Sequence, residues 1–241
     1  ITMVSALAFH GLTDQMPRKT WVAIAPGDWS PVPGYPPVRM HTQGADFFPE
    51  THISSAEIGP EQVCLHTSKG HFYGKILVGC DGSPSLLARK LAGFTVDKSH
   101  YCGAVRAYYE GIAGMQTGVN EVFFSRKFRP GYFWIFPVNA TQANVGFGML
   151  SSIISKRKIS LTSAFFQVIE EFPELQARFE QAILLSKPVG FGLPLGTRAL
   201  NISGQRFLLC GDAASLIDPV SGTGIGNCML SAKLAAEHII R

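Results

Sequence analysis

The stretch from Cys210 to Met229, CGDAASLIDPVSGTGIGNCM, most constrains the fold of this chain. It carries two aspartates, a proline and four glycines between an apolar run that begins at Phe207 and a helical pattern that extends from Gly226 to Ile240. A loop that only connects a strand to a helix would not need so many glycines together with a proline. A buried strand that ends in a glycine-rich turn before a helix is typical of α/β folds, in which ligands bind at the carboxyl ends of the strands.

A second apolar run predicts another strand of the same kind. Residues 75–80, KILVGC, suit a strand that is buried on both faces. Asp81 follows this strand directly, as Gly211 and Asp212 follow the first one, and Leu86 to Ala92 has a helical pattern. Both carboxylates are therefore expected at the ligand-binding edge of a sheet.

The region between these two strands has a different pattern. Four aromatic-rich segments between residues 101 and 150 alternate like the strands of an antiparallel sheet. Apolar residues recur at three- and four-residue steps from Leu161 to Gln181, which predicts a helix that Pro173 kinks or divides. Residues 190–200 predict a further strand.

We therefore predict a mixed fold of the α/β (α+β) class with two intergrown domains. A partial α/β domain comprises residues 39–98 and 201–241, and an antiparallel-sheet domain, residues 99–200, is inserted into it. Residues 1–38 are rich in proline and are expected to be irregular. The length of 241 residues is sufficient for such an arrangement with a substantial core.

Composition excludes several classes of protein. Hydrophobic residues make up 46% of the chain and charged residues 16%, which excludes a disordered chain. The net charge of +4 comes without a basic block, so no nucleic-acid partner is expected. No apolar stretch approaches the roughly 20 residues of a membrane span, although peripheral membrane contact stays open. The five scattered cysteines indicate reduced, mostly buried thiols and a cytoplasmic protein. The seven histidines form no evident ligand cluster, so no metal is expected.

The glycine-rich stretch has the chemistry of a cofactor site. Asp212 can accept hydrogen bonds from a polyol or ribose hydroxyl. Glycines at positions 222, 224 and 226 let backbone amides approach a ligand at the start of a helix, where the helix dipole favours negative charge. Pro219 fixes the loop before them. An anionic, hydroxyl-bearing cofactor suits this site; the alternative is a plain strand-to-helix turn with Asp212 as a cap.

The motif G-D-A-A-x-x-x-D-P-x-x-G-x-G-I resembles the second flavin signature of the para-hydroxybenzoate hydroxylase-like flavoproteins. The resemblance implies that FAD is the cofactor, that Asp212 binds its ribityl chain and that the glycine-rich helix start lies against the flavin and diphosphate. The implied residues are Gly211, Asp212, Pro219, Gly222, Gly224, Ile225 and Gly226.

The stretch GCDGSPSLLARKLAG, residues 79–93, resembles the other signature that these flavoproteins share. This resemblance implies a role at the flavin site for Asp81 and Gly82, with Ser85 and Arg89 supporting the turn. An ordinary turn is the alternative for Asp81 and Gly82 taken alone, but the pair of signatures, about 130 residues apart in the expected order, is more specific than either.

A third stretch, YFWIFPVNATQANVGFG, resembles the signature of the geranylgeranyl reductase family. Tyr132, Trp134 and Phe136 alternate along a strand and therefore share one face. The resemblance implies that these aromatics, with Gly146 and Gly148, line the cavity that holds an isoprenoid chain. The alternative is that the aromatic face is part of the core.

These resemblances imply an FAD-dependent oxidoreductase that transfers hydride from reduced flavin to an isoprenoid double bond. They also imply an electron donor, either NAD(P)H or a ferredoxin-like protein, and they identify no catalytic residue in this sequence. Two alternatives stay open. One is a flavin-dependent monooxygenase or halogenase on the same fold, and the other is a truncated, inactive chain that serves only as a binding module.

One expected element is missing from the sequence. These flavoproteins begin with a strand, a Gly-x-Gly-x-x-Gly turn and a helix, with an acidic residue about 20 positions further on, and this unit holds the ADP half of FAD. No such pattern is present, because Gly222-x-Gly-x-Gly226 has a different spacing. Either the amino-terminal unit has been lost from this sequence or the chain is a divergent remnant. We expect loss, and therefore an incomplete FAD-binding domain, because the remaining flavin motifs are intact.

Overall fold

The computed structural model describes residues 20–22, 38–40, 46, 48 and 50–240. These residues form two compact units. The first unit consists of the described residues up to Phe94 together with those from Ala199 onward, and the second unit is Thr95–Arg198. The mixed α/β class is confirmed, because helices occur together with parallel and antiparallel sheets.

The strands and helices of the described chain are numbered separately in chain order. The strands are β1 (Thr20–Val22), β2 (Val38–Met40), β3 (Ile53–Ile58), β4 (Val63–Thr67), β5 (Gly70–Gly74), β6 (Leu77–Gly79), β7 (Tyr101–Glu110), β8 (Glu121–Phe123), β9 (Gly131–Pro137), β10 (Gln142–Leu150), β11 (Ile183–Leu184), β12 (Val189–Pro194), β13 (Ser203–Gly204) and β14 (Phe207–Leu209). The helices are α1 (Leu86–Leu91), α2 (Ser151–Arg157), α3 (Leu161–Glu171), α4 (Pro173–Phe179) and α5 (Ile225–Ile240).

The proline-rich segment, residues 1–38, lies mostly outside the described residues. The described part of it contains β1 and the first residue of β2, and these two short strands pair in parallel.

The first unit contains a three-stranded antiparallel sheet with the order β3, β4, β5. Apolar side chains of this sheet, such as Ala56, Ile58 and Leu65, pack towards Leu87 and Ala88 of α1. Because successive side chains of a strand point to opposite faces, the polar residues between them lie on the other face of the sheet.

A second sheet of the first unit has the order β13, β14, β6. β6 and β14 are parallel, with Leu209 opposite Gly79, and the amide of Cys210 donates a hydrogen bond to the Gly79 carbonyl (2.9 Å). Each of these two strands therefore delivers the residue after it to the same edge of the sheet. This arrangement brings Asp81 and Asp212 to neighbouring strand ends, as predicted.

The strand predicted at residues 75–80 is shorter and more exposed than expected. Only Leu77–Gly79 is extended, Val78 is 39% exposed and Ile76 is 42% exposed. The prediction of a strand buried on both faces is wrong, because the Val78 side chain leaves one face exposed to solvent; β6 also pairs only with β14 among the described residues. A groove of about 670 Å³, lined by Ile76, Phe207 and Leu234 among others, lies along this sheet and α5.

The second unit is built on an antiparallel sheet with the order β11, β7, β10, β9, β8, and β12 also pairs with β7. The four aromatic-rich segments of the sequence form β7 to β10, as predicted. One face of the sheet packs on α3 and α4, with Phe133, Phe147, Phe165, Val168 and Leu175 fully buried between them.

Pro173 divides the predicted long helix into α3 and α4. Proline lacks the amide proton of a helix interior but fits the first position of a helix, so α3 ends at Glu171 and α4 begins at Pro173. No helix among the described residues has the length and apolarity needed to cross a bilayer.

Candidate functional site

Asp81 lies two residues after the end of β6, where its carboxylate organises the turn into α1. Oδ1 accepts a hydrogen bond from Ser85 Oγ (2.6 Å), and Oδ2 accepts from the amides of Leu86 (2.7 Å) and Leu87 (3.1 Å). Ser85 Oγ in turn accepts from the Ala88 amide (2.8 Å) and caps the helix. Asp81 therefore satisfies amides that an isolated helix start leaves free.

Gly82 and Arg89 lie beside this turn. Gly82 has φ +68°, in the left-handed region. Arg89 is exposed in the last turn of α1 and makes no hydrogen bond or ion pair within the described residues. The expected support of the turn therefore comes from Ser85, and the Arg89 guanidinium is available to an anionic group.

Asp212 lies in a short 3-10 turn, Gly211–Ala214, that follows β14. Its side chain is half-buried, and its carboxylate makes no hydrogen bond or ion pair with any described residue. Burial raises the pKa of Asp212, as physical chemistry requires for a carboxylate without a donor. Such a group costs the fold free energy and can accept a hydrogen bond from a ligand hydroxyl.

Gly224 keeps space open beside this carboxylate. A Cβ atom at position 224 would stand only 2.9 Å from Asp212 Oδ1 and 3.2 Å from Ile217 Cγ1. The helix α5 begins at the next residue, and the first amides of a helix have no intrahelical acceptor and carry the positive end of the helix dipole. A hydrogen-bond acceptor and an anion-binding helix start therefore lie side by side.

The glycine-rich loop is held in shape by Asp218, a residue that the sequence analysis did not assign to the site. Its Oδ1 accepts hydrogen bonds from the amides of Val220 (3.1 Å) and Ser221 (2.7 Å) and from Ser221 Oγ (2.8 Å). These bonds, chiefly that of the Ser221 amide, lower the pKa of Asp218. The sequence signal that could have identified this role is an aspartate two residues before Val220, the spacing at which an aspartate side chain accepts a hydrogen bond from the backbone amide of a turn.

The other predicted flavin residues surround the same loop. Gly211 and Gly222 adopt φ values of +59° and +69°. Pro219 is exposed, Ile225 is exposed in the first turn of α5, and Gly226 follows it. The structure thus gathers Asp212 and the predicted glycines around the start of α5, whereas Asp81 faces the start of α1.

Three thiols lie near the carboxyl ends of β6 and β14. Partial desolvation of the thiol by surrounding atoms, with a contribution from the neighbouring Cys210 thiol, raises the pKa of Cys80 to about 11, and partial desolvation also raises the pKa of Cys228. These thiols are therefore protonated at neutral pH and are not activated nucleophiles. The expectation of mostly buried cysteines is wrong, since only Cys210 is buried and both Cys80 and Cys228 are exposed at this open end of the sheet.

The aromatic residues of β9 divide between two faces. Phe133 and Ile135 have no exposed surface and belong to the core, whereas Tyr132, Trp134 and Phe136 are half-exposed on the opposite face. The ring centroid of Trp134 lies 5.8 Å from that of Tyr132 and 5.9 Å from that of Phe136. The three rings therefore form a continuous aromatic surface outside the core of this unit, which favours the ligand-wall interpretation over the core interpretation.

Gly146 is the residue that lets Trp134 lie flat on the sheet. A Cβ atom at position 146 would stand 2.1 Å from Trp134 Cζ2, so any side chain there would push the indole away. The indole Nε1 donates a hydrogen bond to Asn144 Oδ1 (3.0 Å), which fixes its orientation. Gly148 lies opposite Tyr132 in the next register pair, under the edge of the same indole.

The same face includes residues that the sequence analysis missed. In the β7–β10 register Arg106 is opposite Gly146 and Tyr108 is opposite Asn144. The Arg106 guanidinium lies 4.8 Å from the ring centroid of Tyr108 and 5.2 Å from that of Phe191. The alternation in AVRAYYEG could have identified Arg106 and Tyr108, since they share a face with the residues opposite Trp134.

Basic residues of two segments, residues 126–129 and residues 156–158, lie close together in the second unit. The Arg157 guanidinium donates hydrogen bonds to the carbonyl oxygens of Lys127 (2.7 Å) and Arg129 (3.4 Å), and Lys127 Nζ donates to Gln167 Oε1 (2.7 Å). These contacts join a loop to helices α2 and α3, so we assign these basic side chains a structural role.

One cluster contradicts the expectation that the histidines lie apart. Cys64, His66 and His71 each offer a ligand atom, and these three atoms lie within 4.8 Å of one another. The spacing Cys-x-His on β4 and the tight turn to β5 are the signals that could have predicted this cluster.

Known proteins resemble the chain in sequence. Residues 101–182 match the family described as the geranylgeranyl reductase catalytic domain. The chain is 29% identical over 203 residues to a digeranylgeranylglycerophospholipid reductase of Methanocella arvoryzae, an alignment that covers 81% of this chain and 49% of the relative. It is 29% identical over 190 residues to a menaquinone reductase of Mycolicibacterium smegmatis, covering 71% of this chain and 45% of the relative. The chain thus spans about half the length of the curated relatives it matches.

Solved structures share the fold. A geranylgeranyl bacteriochlorophyll reductase-like protein from Thermoplasma acidophilum superposes with a TM-score of 0.66 at 21% identity, covering 83% of this chain and 48% of that one. A flavin-dependent brominase superposes with a TM-score of 0.64 at 19% identity, covering 84% of this chain and 50% of that one. The family match and the named relatives together show that this chain contains a geranylgeranyl reductase catalytic domain, at residues 101–182.

Proposed function

We propose that this chain belongs to an FAD-dependent oxidoreductase that reduces double bonds of an isoprenoid, geranylgeranyl-type chain. The observation that carries the proposal is the half-buried carboxylate of Asp212, which has no partner among the described residues and lies against Gly224 at the start of α5. A relative named as a digeranylgeranylglycerophospholipid reductase supports the isoprenoid substrate class.

The residues around the start of α5 fit the ribityl and diphosphate parts of FAD. Asp212 would accept a hydrogen bond from a ribityl hydroxyl and so gain the partner that the fold does not provide. The first amides of α5 would bind a phosphate, because they are free donors at the positive end of the helix dipole. On the neighbouring strand Asp81 and Gly82 would shape the turn beside the flavin, with Arg89 as an available cation. When bound, the reduced flavin would supply the hydride.

The exposed aromatic face of the second unit fits an apolar substrate. Tyr132, Trp134 and Phe136 would contact a prenyl chain across Gly146 and Gly148, because flat rings offer a large apolar area at a low cost in side-chain entropy. Arg106 places a cation on the same face, where it would bind an anionic part of a lipid headgroup. A proton would come from solvent or from a tyrosine, and we assign no single catalytic residue.

The residues around Asp212 and the aromatic face of β9 lie in different segments of the chain, which suggests separate roles for those segments. We assign flavin binding to residues 39–98 and 201–241 and substrate binding to residues 99–200. NAD(P)H or a ferredoxin-like protein would supply electrons. We place the protein in the cytoplasm, in peripheral contact with the membrane that holds its substrate.

A second candidate is a flavin-dependent monooxygenase or halogenase, since a flavin-dependent brominase has the same fold. The two candidates differ in their need for oxygen. A reductase turns over its substrate without oxygen, whereas a monooxygenase or halogenase cannot.

The test is an anaerobic assay of an intact version of the protein, one that includes a unit for the ADP half of FAD, with FAD, dithionite as reductant and geranylgeranylglycerol lipids as substrate. We expect product masses that rise by two hydrogens for each double bond reduced. Turnover only after oxygen is admitted would support the second candidate. Bound substrate without turnover or flavin would instead indicate a binding module.

A further inference from the structure

We propose that Cys64, His66 and His71 form a binding site for a zinc-class divalent cation on the outer face of the β3–β4–β5 sheet. The site is separate from the Asp212 loop and from the aromatic face. It does not depend on the proposed flavin function.

Strand register places these side chains together. His71 is opposite His66, and Cys64 lies two residues before His66 on the same face of β4. Glu57 is opposite Cys64 on the other neighbouring strand. The apolar side chains Ala56 and Leu65 occupy the opposite face, packed towards α1. The ligand types therefore come from three adjacent strands and face away from the core.

The distances suit a metal ion of this class. One ligand atom from each of Cys64, His66 and His71 lies within 4.8 Å of the others. A tetrahedral zinc ion with bond lengths of about 2.0–2.3 Å places its ligand atoms roughly 3.3–3.7 Å apart. The difference of at most about 1.5 Å closes by side-chain rotation, since His71 is exposed on β5.

The His66 imidazole has a ring nitrogen that a metal ion would coordinate. Its Nε2 atom is buried and lacks a hydrogen-bond partner among the described residues, although Glu57 Oε1 lies 3.2 Å away in an orientation that forms no hydrogen bond. A buried polar atom without a partner costs the fold free energy. A bound cation would pair with this nitrogen, and the Glu57 carboxylate or a water molecule would take the fourth position.

The chemistry of the ligands selects the class of ion. A thiolate and two imidazoles favour Zn²⁺ and its neighbours over Mg²⁺ and Ca²⁺, which prefer oxygen ligands. The two histidine rings already contact each other edge to face, with centroids 4.5 Å apart. A bound metal ion would replace this ring contact by metal–ligand bonds that link β4 to β5 and, through Glu57, to β3.

The experiment titrates the reduced, metal-free protein with Co²⁺ and Zn²⁺, with Mg²⁺ as a comparison. We expect one equivalent of Co²⁺ to give a thiolate-to-metal charge-transfer band, Zn²⁺ to displace it, and the melting temperature to rise with Zn²⁺. Cys64→Ser should remove the band, and His71→Ala should raise the dissociation constant at least about tenfold. His71→Ala keeps the test decisive if Cys64→Ser fails to fold, because His71 is an exposed residue.

Matched controls are Cys228→Ser, an exposed thiol elsewhere in the same unit, and His52→Ala, an exposed histidine just before β3. Both variants should bind metal as the wild type does. An unchanged affinity in His71→Ala, or a charge-transfer band that Cys228→Ser abolishes, would overturn the proposal. Neither result would affect the flavin proposal, because the readout is metal binding alone.

Discussion

Removal of the Asp212 carboxylate should weaken flavin binding without unfolding the protein. If a ribityl hydroxyl donates to this carboxylate, Asp212→Ala in an intact version of the protein should lose the free energy of one charged hydrogen bond, about 1.5–3 kcal/mol. That free energy corresponds to a dissociation constant roughly 10- to 160-fold higher. No bond within the fold is lost, because the carboxylate has no partner among the described residues.

The isosteric change Asp212→Asn should raise the free energy of unfolding at pH 7. Burial raises the pKa of Asp212, so the folded protein holds this proton more tightly than the unfolded chain. The contribution of Asp212 to stability is therefore present below the pKa of the unfolded chain and is lost as pH rises through the folded pKa. An asparagine does not ionise, so the advantage of the variant should grow as pH rises through that window.

Asp218 provides the matched control with the opposite sign. Hydrogen bonds, chiefly from the Ser221 amide, lower the pKa of Asp218. Its contribution to stability is present above the pKa of the unfolded chain and is lost as pH falls through the folded pKa. Asp218→Asn should therefore be less stable than the wild type at pH 7, where Asp212→Asn is more stable.

The assay combines fluorescence titration with flavin and urea unfolding at a series of pH values. A flavin dissociation constant that Asp212→Ala leaves unchanged would refute the assignment of this carboxylate to the ribityl chain. A loss of stability in Asp212→Asn at pH 7 would show instead that the carboxylate has a partner within the fold.

Four further outcomes test the remaining assignments. Trp134→Ala should weaken binding of a long isoprenoid about tenfold and leave flavin affinity unchanged; lower thermal stability with unchanged substrate affinity per folded molecule would show that Trp134 is core. Gly146→Ala should weaken substrate binding in the same way, because its Cβ would stand 2.1 Å from Trp134 Cζ2, and calorimetry would measure it. Glu121→Gln should lower the free energy of unfolding by about 1.5–3 kcal/mol in urea titrations, since Glu121 forms a bidentate ion pair with Arg178 (2.6 and 2.7 Å). The 241 residues expressed alone should be poorly soluble, because Ile76 and Val78 are exposed. They should also show no stoichiometric flavin absorbance after gel filtration, because the sequence has no glycine fingerprint for the ADP half of FAD; a full flavin spectrum would contradict this expectation.

Local patterns were sufficient to predict most of the secondary structure. Period-two alternation predicted β9 and placed Tyr132, Trp134 and Phe136 on one face, because a strand repeats every two residues whatever it packs against. Pro173 predicted the break between α3 and α4, because its ring excludes a helix interior. The strand-to-helix turn at Asp212 was predictable from the apolar run and glycines around it.

The sequence did not predict how far each strand or helix is buried by the rest of the fold. An apolar run does not show which neighbours it has, so KILVGC suggested a buried strand, whereas β6 has one paired neighbour in the described chain and exposes Ile76 and Val78. The same limit applies to the cysteines, of which only Cys210 proved to be buried.

The sequence by itself determined the residue types and their order along the chain: the two aspartates after apolar strands, the glycines before a helix and the alternating aromatics. Only the tertiary structure decided which carboxylate is free. Asp81 accepts three hydrogen bonds from the start of α1, whereas Asp212 accepts none within the described chain. It also decided that Cys64, His66 and His71 meet, because strand register joins residues that the sequence separates. Hydrogen bonding and register depend on contacts between distant segments, and a local pattern cannot specify them.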